Sequence, residues 1–102
     1  MTYVFDLDNT ILYSTIDNNG EYSIVSVNIQ LVKIINELYD NDHTIIIFTG
    51  RHWKHLEITR EQLCNYNVKY TTLILGKPVA DFYIDDLALR PDEFLKEILK
   101  NG

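Results

Sequence analysis

The stretch Tyr3-Val4-Phe5-Asp6-Leu7-Asp8-Asn9-Thr10-Ile11-Leu12 decides how the rest of the chain is arranged. Aromatic and β-branched residues at its start predict a buried strand. Asp6 and Asp8 follow at positions i and i+2, so in an extended chain their side chains point the same way. Acids at the carboxyl end of a central parallel strand lie where open α/β sheets bind ligands. Because two carboxylates repel each other there, we expect a cation or a shared proton between them.

The same stretch resembles motif I of the haloacid dehalogenase (HAD) superfamily, in which an apolar run precedes D-x-D-x-T and a further apolar residue. Asn9 stands where this motif often carries glycine, and asparagine tolerates the same left-handed backbone. Three later stretches fall in the order that the family requires. Together they make the resemblance specific, and it extends from Tyr3 to about Pro91.

The second of these stretches is Thr44–Phe48, a β-branched and apolar run that predicts a buried strand and ends at Thr49-Gly50-Arg51. It resembles motif II, in which an apolar strand ends in serine or threonine. The Thr49 hydroxyl can donate to a phosphate oxygen, and Gly50 lets the backbone approach closely. Arg51 has two interpretations, contact with the substrate or bracing of the carboxylates, and the sequence leaves both open.

The remaining two stretches complete the set. Tyr70–Leu75 predicts a strand that leads to Gly76-Lys77-Pro78, and Lys77 stands where motif III supplies its lysine. Phe82–Ile84 predicts a short buried strand that ends in Asp85 and Asp86, which resembles motif IV in its double-aspartate form. We therefore expect all four motifs to converge on one edge of a sheet.

Strands and helices alternate along the chain, which predicts an α/β fold with a three-layer Rossmann-like (HAD-like) parallel sheet and helices on both faces. Residues 1–102 are predicted to form a single HAD-like hydrolase domain, and the motifs leave no room for a cap domain, so the chain resembles the small capless members of the superfamily. The other predicted elements are a small β-hairpin flap and three helices. The flap pairs Thr15-Ile16 with Tyr22–Val25 around the turn Asn19-Gly20, and the first helix covers Ile29–Tyr39 with Asn28 as its N-cap. The second helix ends near Tyr66 with Ile58, Leu63 and Cys64 on its inner face, and the third covers Asp92–Lys100 with Phe94, Leu95, Ile98 and Leu99 on its inner face.

The resemblance implies a Mg²⁺-dependent phosphohydrolase, a phosphomonoesterase that works through an aspartyl-phosphate intermediate. Asp6 is the expected nucleophile and Asp8 the expected general acid and base. Which of Asp85 and Asp86 contacts the metal directly is left open. Mg²⁺ is expected to bind the Asp6 carboxylate, the backbone carbonyl of Asp8, and Asp85 or Asp86, together with water. The remaining expected roles are phosphate binding by Thr49, Gly50 and Lys77, and substrate contact by Arg51 and Trp53.

Substrates consistent with the motifs are a sugar phosphate, a polysaccharide-pathway intermediate, a nucleotide, or the terminal phosphate of a larger molecule. The alternative function is a receiver-like Mg²⁺-binding phosphoacceptor module for signalling, although such modules lack D-x-D-x-T. A metal-dependent nuclease would need a surface for a polyanion, and a catalytically silent binding module would not need every motif position filled. His52 and His55 are spaced for one helix face, but no third ligand lies near them in sequence, so we do not expect zinc.

The charge and composition of the chain limit the kinds of partner that we expect. The net charge of −6 and the absence of a basic patch argue against duplex nucleic acid. The sequence shows no signal peptide and no apolar run long enough to span a membrane, so we expect no membrane partner. Cys64 is the single cysteine, so no internal disulfide can form. These features together predict a cytoplasmic protein. The thiol is expected to be buried or half-buried. At this size a homo-oligomer is also considered, in which a second subunit covers the site beside Tyr13, Tyr22 and Trp53.

Overall fold

Three parallel strands form the sheet that carries the candidate site in the computed structural model, which describes residues 1–101. The fold of these residues is α/β, with a second sheet of two antiparallel strands. Within the described range, no helix is long and apolar enough to cross a membrane. In chain order the elements are β1 (Thr2–Phe5), β2 (Leu12–Ile16), β3 (Tyr22–Val27), α1 (Ile29–Asp40), β4 (Thr44–Phe48), a 3₁₀ turn (Trp53–His55), α2 (Leu56–Asn65), β5 (Thr72–Ile74) and α3 (Pro91–Asn101).

The parallel sheet has the strand order β1-β4-β5. The register runs from Thr2 opposite Thr44 to Phe5 opposite Ile47, and β5 joins the outer side of β4. β5 is shorter than the predicted strand over Tyr70–Leu75. Just before it, the Thr71 N–H donates to the Ile45 carbonyl, and the Thr71 hydroxyl accepts from the Ile45 N–H, so a side chain takes the place of one backbone acceptor at that point.

The predicted hairpin is confirmed. β2 and β3 pair antiparallel from Leu12 opposite Val27 to Ile16 opposite Tyr22. In the turn between them, the Asp17 carboxylate accepts from two backbone N–H groups of the following residues, and Gly20 adopts a φ of +77°. A turn of this kind fixes the register of the two strands. The hairpin therefore stands as a defined element directly after the two acids.

The core lies on one face of the parallel sheet. Phe5, Ile45 and Ile47 alternate inward from the strands and are buried against α1. The predicted apolar stripe of α1 is confirmed, since three of its four residues are buried and the fourth packs at the edge. The helix begins as expected, because the Asn28 side chain accepts a hydrogen bond from the Leu31 N–H at 3.2 Å.

The opposite face of the sheet is less covered. Val4 on β1 is 59% exposed, and Ile74 on β5 is 37% exposed. The predicted arrangement with helices on both faces is therefore not confirmed at these positions. The link from β5 to α3 contains no helix that would cover them.

The predicted strand over Phe82–Ile84 is wrong. These residues have no strand partner, and Phe82 and Ile84 are 82% and 97% exposed. Only Leu75 to Asp81 separate them from β5, whereas a crossover between parallel strands ordinarily takes a dozen or more residues. The residue types suit a strand, but the connection leaves no room for the pairing.

Two predicted inner residues of the later helices are also wrong. Cys64 is exposed, and Leu99 is 61% exposed. On α2 the inward positions belong instead to Thr59 and Gln62, together with the predicted Leu63. The polar pair is buried because it faces a charged side chain in the site, as described below.

Candidate functional site

The two acids of the opening stretch flank a buried residue at the end of β1. Leu7 is fully buried, while Asp6 and Asp8 remain half-buried on either side of it. The backbone then turns sharply, since the N–H groups of Ile11 and Leu12 both donate to the Leu7 carbonyl. Asn9 has a φ of 64°, which confirms the left-handed backbone expected there. This turn presents both carboxylates to the same opening.

That opening is a pocket of about 290 Å³ beyond the carboxyl ends of β1 and β4. Its walls contain five of the residues predicted for the site, and the hairpin forms another side. A larger apolar depression of about 490 Å³ beside β3 contains none of them. The residues around the smaller pocket are Asp6, Asp8, Asn9, Ser14, Ile16, Tyr22, Thr49, Gly50, Arg51 and Val79.

Lys77 joins this group from the segment after β5. Its ammonium nitrogen lies 3.9 Å from Asp6 Oδ1 and over the ring of Tyr83, 4.4 Å from the ring centre. The Lys77 N–H donates to the Thr49 carbonyl at 2.9 Å, which continues the contact between the two chain segments beyond the strands. The predicted proximity of the motif I, II and III residues is therefore present in the structure.

The groups around Asp6 shift the pKa of its carboxyl in opposite directions. Burial raises the pKa of its carboxyl, and the charge of Lys77 and the Leu7 N–H oppose that rise, while Asp8 adds to it. Thr10 Oγ1 lies 3.5 Å from the other oxygen, at the limit of a hydrogen bond. Asp6 therefore has one cation nearby and an oxygen that is open to the pocket.

Thr49 and Gly50 shape the floor between the acids and Lys77. Thr49 is buried, and its Oγ1 accepts a hydrogen bond from the Arg51 N–H at 3.2 Å, which leaves the hydroxyl proton free to donate. A side chain at Gly50 would come within 3.4 Å of the Lys77 carbonyl. This distance is an ordinary van der Waals contact, so the Lys77 segment does not itself require glycine here, and the predicted close approach of the Gly50 backbone to a phosphate stays a prediction.

Arg51 is the most completely engaged side chain of the site. Arg51 is 1% exposed to solvent. Nε and Nη2 donate to the two oxygens of Asp8 at 2.9 and 2.8 Å, and Nη1 donates to Thr59 Oγ1 and Gln62 Oε1 at 3.1 and 2.7 Å. The guanidinium carbon lies 4.1 Å from the centre of the Tyr22 ring. Of the two interpretations of Arg51, these contacts favour bracing of a carboxylate, and the predicted contact of Arg51 with a substrate stays a prediction.

Side chains that were not predicted from the sequence connect the hairpin to this arrangement. Ser14 Oγ donates to Asp8 Oδ1 at 2.7 Å, and Gln62 Nε2 donates to the Tyr22 carbonyl at 3.0 Å. The sequence signal for Thr59 and Gln62 is a polar pair at i and i+3 on a helix face that is otherwise inward. Burial lowers the pKa of His55, whose ring packs edge-on against Tyr22, and the charges of Lys54 and Arg51 lower it further.

The motif IV acids do not join the site. Asp85 and Asp86 are both exposed, and Asp85 Oδ1 accepts a hydrogen bond from the Leu87 N–H within its own turn. Across residues 1–101, no three His, Cys, Asp or Glu side chains converge in a way that would hold a metal ion. The expected convergence of four motifs is therefore corrected to three, for the same reason that Phe82–Ile84 forms no strand.

Trp53 lies beside the Lys77 segment and is 55% exposed. Its indole Nε1 would be only 3.0 Å from a Cβ placed on Gly76, whose φ is +83°. The indole therefore packs directly on the glycine that precedes Lys77. The predicted contact of Trp53 with a substrate stays a prediction.

Replacing Gly76 with alanine is expected to lower the free energy of unfolding by more than the same change at Gly20. Both glycines have positive φ, so both alanines incur backbone strain of about 1 kcal/mol or more. Only at position 76 does the new methyl group also meet a side chain, since nothing lies within 4 Å at Gly20. Urea unfolding of the two variants measures the difference, and equal losses would contradict the packing of Trp53 on Gly76.

Two solved structures are similar to this chain over nearly its whole length. A structural-genomics target from Vibrio cholerae is 26% identical, with a TM-score of 0.75, over 97% of this chain and 94% of that one. A chain of the Pnkp1/Rnl/Hen1 complex is 22% identical, with a TM-score of 0.59, over 95% of this chain but 34% of that one, so this chain spans about a third of its length. Neither the models of protein families nor the curated proteins contain a match. These likenesses support the α/β fold.

Proposed function

We propose that this chain is a capless phosphatase of the HAD superfamily, which hydrolyses phosphomonoesters through an aspartyl-phosphate intermediate. One observation carries the proposal: Asp6 and Thr49 line one open pocket beyond the ends of β1 and β4, and Lys77, from a third segment, lies 3.9 Å from Asp6. In this proposal the parallel sheet β1-β4-β5 is the central part of a Rossmann-like HAD sheet. The likeness to the Vibrio cholerae structure supports that assignment of the fold.

The proposed chemistry follows from the placement of these groups. Asp6 attacks phosphorus in line and takes the phosphoryl group, with the leaving oxygen departing on the opposite side. The Thr49 hydroxyl and the Lys77 ammonium hold the phosphoryl oxygens, and Gly50 offers its N–H to the same oxygens. Asp8 stands beside Asp6 and is assigned to proton transfer. Water then hydrolyses the aspartyl-phosphate.

Mg²⁺ remains part of the proposal, although the side chains as arranged do not fit it. The Asp6 carboxylate lies near Lys77, whereas Asp85 and Asp86 are not at the site, so Asp6 alone of the expected carboxylate ligands is in place. Hard divalent cations take six or more oxygen ligands and ordinarily bind through carboxylates together with water. Binding of Mg²⁺ would thus require a rearrangement that brings Asp85 or Asp86 to Asp6.

We expect Mg²⁺ to slow backbone hydrogen exchange in residues 79–90 and EDTA to abolish phosphate release. The first result follows because a cation that recruits Asp85 or Asp86 must order the exposed segment that bears them. Hydrogen exchange followed by mass spectrometry measures this without reference to activity. Unchanged exchange, together with equal rates of phosphate release with and without EDTA, would remove Mg²⁺ from the proposal.

The open pocket bears on the substrate. No cap formed by residues 1–101 encloses it, so the group that carries the phosphate extends away from the pocket beside the hairpin and Val79. We propose a small phosphorylated metabolite, such as a sugar phosphate or nucleotide, or the terminal phosphate of a larger molecule. A cytoplasmic location, the absence of duplex nucleic acid as a partner, and a homo-oligomer that covers the site all stay predictions.

One observation favours the second candidate, a receiver-like phosphoacceptor module. Both oxygens of Asp8 are engaged by Arg51, and a receiver needs no second acid for turnover. Repeated release of p-nitrophenol from p-nitrophenyl phosphate is expected of the phosphatase. A single labelling by acetyl phosphate without such turnover is the result expected of the receiver.

A further inference from the structure

Two exposed apolar side chains border the pocket that contains Asp6 and Thr49. Ile16, at the end of β2, is 60% exposed, and Val79, in the segment after β5, is 91% exposed. Both line the same pocket as the two polar residues. We call Ile16 and Val79 the apolar rim. Exposed apolar side chains next to the polar groups of a pocket are typical of a wall that contacts a ligand.

The hairpin fixes the position of Ile16. In the register of β2 and β3, Ile16 lies opposite Tyr22, so their side chains share one face of the hairpin. The ring of Tyr22 packs on the Arg51 guanidinium at 4.1 Å, and Gln62 Nε2 donates to the Tyr22 carbonyl at 3.0 Å. Because these contacts anchor Tyr22, they also hold Ile16 beside the pocket.

Val79 lies close to the floor of the pocket. Its Cγ2 methyl group is 3.8 Å from the point where a Cβ on Gly50 would stand. In the proposed function the Gly50 N–H faces the phosphoryl oxygens, so this methyl group lies beside the bound phosphate. The group attached to the phosphate therefore meets Val79 as it extends away from the pocket.

Few polar side chains of the pocket are free to bind the hydroxyl groups of a sugar. Ser14 and Arg51 already donate to Asp8. Apart from the groups assigned to phosphoryl transfer, Asn9 and the Tyr22 hydroxyl are what remains among the described residues that line the pocket. Hydroxyl groups that lose water without gaining partners weaken binding. A sugar phosphate is therefore poorly matched to this wall.

From this geometry we infer that the substrates are phosphomonoesters that carry a flat ring, such as nucleoside monophosphates, in preference to sugar phosphates. The inference rests on the proposed function and assigns Ile16 and Val79 to substrate specificity. The phosphoryl group binds at Asp6 and Thr49, and the faces of the ring contact the apolar rim. Because the ring lies away from the bond that breaks, the rim binds it equally in the ground state and the transition state, and its effect falls mainly on KM.

Adenosine 5′-monophosphate and ribose 5-phosphate test this inference, because the same bond breaks in both and only the first carries a base. We expect kcat/KM to be about tenfold or more higher for adenosine 5′-monophosphate, with the difference mainly in KM. Equal values, or a higher value for ribose 5-phosphate, would overturn the inference while leaving the phosphatase intact. If folded protein hydrolyses neither of them, nor p-nitrophenyl phosphate, the proposed function fails and the inference fails with it.

Ile16→Ser and Val79→Ser provide a second test. Each is expected to lower the ratio of the two kcat/KM values by about threefold or more, through a higher KM for adenosine 5′-monophosphate. Both side chains are exposed, so the fold is expected to tolerate the changes. Val25→Ser is the matched control, because Val25 is an exposed apolar residue of the same hairpin but lines the depression beside β3 instead of the pocket. We expect Val25→Ser to keep the wild-type ratio, and the same ratio in folded Ile16→Ser and Val79→Ser would contradict the role given to the apolar rim.

Discussion

Asp6→Asn is expected to reduce phosphate release by at least about a hundredfold and, at neutral pH, to raise the stability of the fold. The amide is nearly isosteric with the carboxylate but cannot take the phosphoryl group, and loss of a nucleophile costs more than about 3 kcal/mol of transition-state stabilisation. The gain in stability follows from the direction of the pKa shift. Burial raises the pKa of Asp6, so its ionisation disfavours the folded state as the pH rises above the usual range of an aspartate, near pH 4.

Urea unfolding and turnover of p-nitrophenyl phosphate check the two effects on one preparation. The midpoint of Asp6→Asn is expected to exceed that of the wild type at pH 7, with the difference disappearing below about pH 4, where Asp6 is protonated in both states. Asp17→Asn is the control, since it removes one negative charge from the exposed hairpin turn and keeps an acceptor oxygen there. Turnover by Asp6→Asn within tenfold of the wild type would refute the nucleophile assignment.

Lys77→Met is expected to lower kcat/KM by about a hundredfold or more, because the phosphoryl group loses the cation that lies closest to Asp6. It should also shift the pH profile. Lys77 opposes the rise in the pKa of Asp6, so its removal raises that pKa further. Because the attacking group is the carboxylate, activity is lost as the pH falls through the Asp6 pKa, and in the variant this loss begins at a higher pH.

Lys69→Met is the matched control for this change. Lys69 also pairs with a carboxylate, that of Asp40 at 2.7 Å, but both side chains are about half exposed and lie outside the pocket. We expect its rate and pH profile to equal those of the wild type. A Lys77→Met variant with wild-type activity would show that Lys77 is a surface lysine without a role in the site.

The elements with local signals were predictable from the sequence. Asn28 caps α1, the apolar residues of α1 recur at helical spacing, and Asn19-Gly20 marks the hairpin, because each signal depends on neighbouring residues. Phe82–Ile84 shows the limit of such reasoning. Its residues suit a strand, but pairing depends on whether the chain can reach a free sheet edge, and the short connection from β5 does not allow it.

The site divides in the same way. Asp6, Thr49 and Lys77 were predictable together because the ends of parallel strands and the segments after them meet at one edge. The pairing of Asp8 with Arg51 was left as one of two alternatives. Which alternative holds depends on Thr59 and Gln62, because their side chains bind Arg51. Both lie on α2 and are brought to Arg51 only by the packing of that helix.

The most direct test of the proposed mechanism is the detection of phosphate on Asp6 during turnover. The protein is mixed with excess p-nitrophenyl phosphate, quenched in acid within the first turnovers, digested and analysed by mass spectrometry, with Asp6→Asn treated in parallel. The proposal predicts an acid-stable phosphoryl group on the peptide that contains Asp6, lost at alkaline pH and absent from Asp6→Asn. Steady release of p-nitrophenol with no phosphoryl group on that peptide, or with the group on another residue, would contradict it.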